Sequence, residues 1–176
     1  MTTSATELDD IYDRLIEVGK QDQRAERGWV ESFLDHDIDF LRAGSLRAVA
    51  FYWHLPEYRA LATKRLLEDP SEEVRQVAAM ALGGYGYQSM AAETIALLTT
   101  VSLDPRETDV VRDAAFTAAL VASIIPRAQY PMEATVPGFE SKANWQLLVE
   151  AHERVGIPVP DRLRALAAAR AMRPNR

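Results

Sequence analysis

Three segments of the chain repeat the same order of residues, and this repetition constrains the fold more than any other feature of the sequence. In each one an aliphatic residue precedes an arginine, and small and apolar residues follow. The segments span residues 46–55, 74–83 and 111–120. Their arginines, Arg47, Arg75 and Arg112, lie 28 and 37 positions apart, a period typical of stacked supersecondary units. Because such units bury their apolar faces only against their neighbours, the repeat predicts a stacked array.

The spacing of apolar residues predicts that the units of this array are helical. From Leu8 to Val18, apolar residues recur every three or four positions, as in an amphipathic helix that Gly19 would end. Similar stripes between residues 40 and 125 are interrupted by turn-forming pairs. These pairs are Leu55-Pro56, Asp69-Pro70, Gly83-Gly84 and Asp104-Pro105. No segment shows the two-residue alternation of a strand, so we predict an all-α fold.

Each of the first two repeats is followed by a second apolar helix, predicted at 57–68 and at 88–102. The repeating unit is therefore a helix hairpin. Beyond the repeats, a proline-containing connection over 127–140 precedes predicted helices at 141–155 and 161–172. Gly83 is predicted to end its helix in the left-handed conformation.

The second repeat resembles the HEAT repeats. The match is best at residues 66–83 and weaker at 40–55 and 104–120. Residues 66–83 begin Leu-Leu-Glu-Asp-Pro and continue through Val-Arg to Ala-Ala-Met-Ala-Leu-Gly. The resemblance implies that an aspartate caps each turn and that an arginine belongs to a ladder between adjacent repeats. This ladder would contain Asp69, Arg75, Asp104, Arg112 and Arg47. The first repeat has Ala43-Gly44 where the second has Asp69-Pro70.

The resemblance implies a right-handed α-α superhelix, which is a short HEAT-like solenoid with irregular capping helices. An irregular helical bundle is the alternative. We expect a single domain over 1–176, because 176 residues is an ordinary domain size. N-terminal capping helices would occupy 4–35, the HEAT-like hairpins 40–125, and C-terminal helices 139–176.

Composition and charge exclude several classes of protein. The chain has no cysteine, which excludes disulfide frameworks and thiolate metal sites. Its net charge is −6, divided into −5 over 1–70, −4 over 71–125 and +3 over 126–176. We therefore predict that the basic last helix packs on the acidic array, either of its own chain or of a neighbouring molecule. The alternative is a short tail that contacts nucleic acid or a membrane surface. No apolar run is long enough to cross a bilayer and the first residues are acidic, so we expect a cytoplasmic protein without membrane contact.

The sequence offers few candidates for a chemical site. Asp35-His36-Asp37-Ile38-Asp39 has residue types that bind cations, but it lacks the glycine and glutamate of an EF-hand, so we expect a solvated capping loop. His54 and His152 lack a neighbouring nucleophile or a zinc-binding spacing, and we predict structural roles for both. We predict no catalytic residue, no metal site and no cofactor.

The three tryptophans, Trp29, Trp53 and Trp145, each lie in apolar stripes and are predicted to be in the core. Trp53 follows Phe51 and Tyr52, and three consecutive aromatic residues cannot all face inward from one helix.

The predicted function is non-catalytic recognition of another protein or peptide, with the protein acting as an adaptor or as an inhibitor or immunity protein for a basic partner. Solenoids present the second helix of each hairpin, and its polar residues are the candidates. The predicted partner-binding residues are Glu57, Arg59, Thr63, Lys64, Tyr85, Tyr87, Gln88, Glu93 and Thr100. The alternative is an enzyme on the same scaffold, such as a HEAT-like DNA glycosylase. The acidic repeats disfavour it, because DNA binding requires a positive groove.

Overall fold

The computed structural model describes residues 5–87, 91–130 and 137–172. Within these ranges all regular elements are helical and no strand occurs, which confirms the all-α prediction. The α-helices are α1 (Ala5–Lys20), α2 (Arg27–Glu31), α3 (Asp39–Leu46), α4 (Arg59–Glu68), α5 (Glu72–Tyr87), α6 (Ala92–Leu103), α7 (Asp109–Ala122), α8 (Phe139–Lys142), α9 (Trp145–Val155) and α10 (Asp161–Ala171). Short 3-10 turns cover Arg24–Glu26, Pro56–Tyr58 and Arg127–Gln129, and α3 continues into π-helical turns over Arg47–Tyr52. No helix in the described part of the chain is both long and apolar enough to span a membrane.

The chain divides into two compact units, Met1–Leu82 and Gly83–Arg176, called unit 1 and unit 2 below. The division falls within α5. The expectation of one domain over the whole chain stays a prediction.

In unit 1, α1 packs against α3 and against the π-helical turns. The prediction that Gly19 ends α1 is wrong, because Gly19 lies inside the helix, which continues to Lys20. A Cβ on Gly19 would stand 2.7 Å from Cδ2 of Tyr52 and 3.0 Å from Cα of Ala48, so glycine is needed there for close approach. The left-handed residue after α1 is Asp22, with φ 52°.

The first repeat has no turn at Ala43-Gly44, because α3 runs through both residues. Gly44 faces α1, where a Cβ would lie 3.1 Å from Tyr12 and 3.2 Å from Leu15. Both positions are buried, so their small side chains let two helices approach each other.

In unit 2, the last turn of α5 lies directly against α7. The prediction that Gly83 ends its helix is wrong, since α5 continues to Tyr87. A Cβ on Gly83 would lie 2.8 Å from Cα of Ala118, and one on Gly86 would lie 2.5 Å from Cβ of Ala122. From Gly83 to Gly86 on α5, the contacted residue on α7 also moves toward the C-terminus, from Ala118 to Ala122. This turn of α5 therefore runs parallel to α7.

The C-terminal helices complete the core of unit 2. Phe116, Phe139 and Trp145 are buried and pack edge to face, with ring centroids 5.2 to 5.8 Å apart. The basic helix α10 packs on α9 through Leu163 and Ala167. Helix α10 therefore contacts the C-terminal part of its own chain. Packing on the acidic repeats was predicted instead.

Helix α7 ends in a hydrogen-bonding pattern that normally requires glycine. The Ile124 amide donates to Val121 and the Ile125 amide donates to Leu120, which is the Schellman arrangement. Ile124 takes the left-handed position with φ 57°, although its branched side chain disfavours that conformation. Gly156 fills the same position after α9, with φ 71°.

We expect Gly83→Ala to lower the free energy of unfolding by about 1–3 kcal/mol, because the added methyl group would overlap the backbone of α7. The control is Gly28→Ala in α2, where no described atom lies within 4 Å of the new methyl group. That change should raise stability by about 0.5–1 kcal/mol. Urea unfolding followed by circular dichroism measures both, and equal effects would contradict the close approach.

We expect Ile124→Gly to raise the free energy of unfolding by about 1 kcal/mol, because the left-handed conformation costs about that amount for a residue with a Cβ. Gly156→Ala should have the opposite sign and a similar size, about 1 kcal/mol, for the same reason. Urea titrations of the two variants provide the comparison. A loss of stability in Ile124→Gly would show that the side chain contributes more through packing than its backbone costs.

Candidate functional site

Three helices begin with the same pattern, which defines the structural repeat. An acidic residue stands first, a buried aliphatic residue third and an arginine fourth. The three starts are Asp39-Phe-Leu-Arg42 in α3, Glu72-Glu-Val-Arg75 in α5 and Asp109-Val-Val-Arg112 in α7. Arg42, and not Arg47 as predicted, is therefore the counterpart of Arg75. Arg47 lies in the π-helical turns and donates from Nη1 to the Tyr12 hydroxyl at 3.2 Å.

The arginines of α3 and α5 bind the backbone in the same way. Nη1 of Arg42 donates to the carbonyl oxygens of His36 and Asp37, at 2.8 and 3.0 Å. Nη1 of Arg75 donates to the carbonyl oxygens of Asp69 and Pro70, at 2.8 and 3.2 Å. In both cases the acceptors stand six and five residues before the arginine. Each arginine thus holds the loop that leads into its own helix.

A fully buried carboxylate, that of Asp69, connects the parts of unit 1. Arg42 donates to it from Nη2 at 2.9 Å and from Nε at 3.2 Å, and Nη1 of Arg65 donates at 3.2 Å. The Ser71 amide also donates to it, at 3.0 Å, so Asp69 caps the turn before α5. The arginines that bind this carboxylate are Arg42 and Arg65, whereas Arg75 donates to the backbone carbonyls of Asp69 and Pro70. Burial alone would raise the pKa of Asp69, but the hydrogen bonds from Arg42 and Ser71 outweigh burial and lower it.

Arg112 organises unit 2 in a related way. Its Nε donates to the Ser102 carbonyl at 3.1 Å, and its Nη2 donates to Glu140 at 2.6 Å. The guanidinium carbon lies 5.2 Å from the centre of the Phe139 ring. The hydrogen bond from Arg112 lowers the pKa of Glu140. Arg112 thus joins α7 to the end of α6 and to α8.

Asp104, which the resemblance places in the repeat ladder, forms a local ion pair with Arg106. Asp104 accepts from Arg106 at 3.0 Å from Nε, at 2.8 Å from Nη2 and at 2.9 Å from the backbone amide. These bonds lower the pKa of Asp104 to about 2. Arg106 stands two residues after Asp104 in the loop before α7. It is therefore close enough to bind the Asp104 carboxylate within the loop.

The acidic segment 35–39 forms a loop held from within by arginines. Arg42 holds its backbone, and Arg65 donates to the Leu34 carbonyl at 2.8 Å and to the Asp35 carboxylate. The His36 Nδ1 accepts from the Ile38 amide at 3.1 Å. No three histidine or acidic side chains of the described residues are grouped to hold a metal ion.

His152 is buried and bonded through both ring nitrogens. Nδ1 lies 2.8 Å from the Pro158 carbonyl, which can only accept, so Nδ1 carries the hydrogen. In the neutral ring, Nε2 then accepts from the Thr99 hydroxyl at 2.9 Å. The pair ties α6 to α9 and has no access to solvent, which is a structural role. His54 is exposed and lies after the π-helical turns, with φ 50°.

The predicted partner-binding residues divide by exposure. Those that are exposed are Glu57, Lys64, Tyr87, Glu93 and Thr100. Those that are half-buried are Arg59, Thr63 and Tyr85, and Gln88 lies outside the described residues. Glu57 accepts from Arg27 at 2.9 Å, and the Thr63 and Thr100 hydroxyls donate to carbonyls one helical turn back.

Two exposed helix faces follow from this division. On α4 the exposed side includes Ala60, Lys64 and Leu67, and on α6 it includes Glu93, Ala96 and Thr100. Each face has an alanine in it, so each is shallow and open to a partner.

A surface feature that the sequence reasoning missed is a row of rings in unit 1. Trp29, Phe33 and His36, called the aromatic row below, are all half-buried, whereas Trp53 and Trp145 are in the core as predicted. The centroids of Trp29 and Phe33 lie 5.2 Å apart, and those of Phe33 and His36 lie 5.8 Å apart. Trp29, Phe33 and His36 are four and three residues apart, which is a spacing typical of one side of a helix. This spacing does not distinguish a side that is buried in the core from one that lies at the surface.

No protein-family model, curated protein or solved structure matches the chain.

We expect Asp69→Asn to lower the free energy of unfolding at pH 7 by about 3 kcal/mol, because it leaves Arg42 buried without a counter-charge. The pKa of Asp69 is lowered by folding, so the carboxylate stabilises the fold above its unfolded pKa and ceases to do so as the pH falls. Urea titrations between pH 7 and pH 3 should therefore show a shallower pH dependence for the variant than for the wild type.

The control is Asp104→Asn, whose arginine partner Arg106 is exposed. Although the pKa of Asp104 is about 2, this change should cost less than about 1 kcal/mol, because solvent screens an exposed ion pair. Equal losses of unfolding free energy in the two variants would show that burial of Asp69 does not make its ion pairs more stabilising than an exposed pair.

Proposed function

We propose that the chain is a non-catalytic protein-recognition module built from HEAT-like hairpins, arranged as a short right-handed solenoid with capping helices. The observation that carries this proposal is the repeated start of α3, α5 and α7. Two of these helices, α3 and α5, are followed by a second helix, α4 or α6, whose outer face is exposed. Repeat proteins of this kind use such faces to bind other proteins.

The parallel contact of α5 with α7 in unit 2 supports the proposed arrangement. In a stacked array, equivalent helices of successive units lie side by side and point the same way. Gly83 and Gly86 meet Ala118 and Ala122 in that manner.

The pairing of Arg42 with Asp69 gives separate support. Arg42 belongs to the first helix of one repeat, and Asp69 caps the turn before the first helix of the next. The resemblance to HEAT repeats implies a ladder between adjacent repeats, and this pair has that form.

The proposed partner is a basic protein, which the module would bind as an adaptor or inhibitor. The net charge of −6 would attract such a partner and accelerate their encounter. Acidic surface charge also supports a cytoplasmic, solution-phase role in this proposal.

The test is affinity capture from lysate of the native cell, followed by binding measurements with the captured protein. Ala60→Arg on α4 and Ala96→Arg on α6 place a bulky charge on the exposed second-helix faces. We expect at least one of them to weaken binding at least tenfold, since an unmatched interface charge costs more than the roughly 1.4 kcal/mol that a tenfold change requires. The matched control is Thr117→Arg, at an exposed position on the first helix α7, and it should retain binding.

If Ala60→Arg and Ala96→Arg both retain binding, the proposed α4 and α6 faces are not the binding surface. Reproducible capture of no protein would contradict the proposed function itself.

A further inference from the structure

The aromatic row is an apolar side of unit 1 that the core leaves at the surface. Helix α2 contributes Val30 to the core, and Val30 is fully buried. Trp29 of α2 is half-buried, and Phe33 and His36 continue the row in the segment after the helix. Half-exposed aromatic side chains that contact one another are typical of interaction surfaces.

One end of this row carries negative charge. His36 stands between Asp35 and Asp37, which are both exposed, and the Asp35 side chain is 91% exposed. Two basic side chains approach this loop. Arg65 pairs with Asp35, and Arg42 is directed inward to Asp69. The Asp35 side chain stays exposed despite its pair with Arg65, and Asp37 is exposed as well, so both carboxylates are accessible to a partner.

The other end of the row already holds a cation. The guanidinium carbon of Arg14 lies 4.3 Å from the centre of the Trp29 ring, and its Nη2 lies 3.1 Å from the Glu26 carboxylate. A ring face together with a neighbouring carboxylate is the arrangement that binds guanidinium groups. The chain's own arginine thus shows which chemistry suits the row.

From these contacts we infer that the aromatic row and the adjoining Asp35 and Asp37 form a docking surface for an arginine-rich segment of a partner protein. Arginine side chains of the segment stack on Phe33 and His36, and their charges pair with the two carboxylates. Arginine suits the surface better than lysine, because the planar guanidinium stacks on rings and binds carboxylates in a fork. This inference rests on the proposed function and names a surface apart from the α4 and α6 faces.

The test uses a fluorescein-labelled nona-arginine peptide and fluorescence anisotropy at low ionic strength. We expect wild-type protein to bind it about threefold more tightly than nona-lysine. Asp35→Asn with Asp37→Asn should weaken binding at least fivefold, because both counter-charges are lost. The matched control is Asp9→Asn with Asp10→Asn, two exposed residues of α1, which changes the net charge equally and should alter binding less than twofold.

A second variant tests the rings without changing the charge. Phe33→Leu keeps an apolar side chain and removes the stacking face, and we expect about threefold weaker binding of nona-arginine with no change for nona-lysine. Circular dichroism melting confirms that each variant is folded.

Equal weakening by the two asparagine pairs would overturn the inference, since binding would then depend on net charge alone. Absence of nona-arginine binding, or an unchanged affinity in Phe33→Leu, would overturn it as well. These results are distinguishable from a failure of the proposed function, because the captured protein would still bind through the α4 or α6 face.

Discussion

The Asp69 carboxylate lies inside unit 1, where water does not stabilise its charge, so the protein must supply every compensating bond. Arg42 supplies a two-point contact, Arg65 a further one and the Ser71 amide another. Because these groups come from α3, from α4 and from the turn before α5, their positions are fixed together. The same Arg42 also binds the loop before α3, so one ion pair holds together that loop, α4 and the turn before α5.

Unit 2 uses the same chemistry with a weaker degree of burial. Arg112 is buried, but its carboxylate partner Glu140 is 42% exposed and also accepts from Arg162 of α10. Solvent screens that side of the pair, so the charges contribute less there than a buried pair would. Phe139 joins the pair to the core, because its ring contacts Arg112 as well as the buried Phe116 and Trp145.

The helices could be predicted from the sequence because apolar spacing reports local structure, whereas the register of the repeats could not. The first repeat has two arginines, Arg42 and Arg47, and both precede small residues. The position of Arg42 at the start of α3 and its contact with Asp69, 27 residues away, distinguish them. Gly83 gave a similar ambiguity, because glycine suits both a helix end and a close helix contact. The atoms of Ala118 decide for the contact, and they are remote in sequence.

The surface of unit 1 was harder to predict than its core for a related reason. Periodicity places Trp29 of α2 and Phe33 of the following turn on one side, but the neighbouring side chain Val30 occupies the core position. Whether a ring side is covered depends on the partner helix, and here Arg14 of α1 lies over the Trp29 ring. Arg14 covers the Trp29 face and pairs with Glu26, so this contact joins an aromatic face to a carboxylate. The proposed docking surface at Phe33, His36, Asp35 and Asp37 has the same combination of chemical groups.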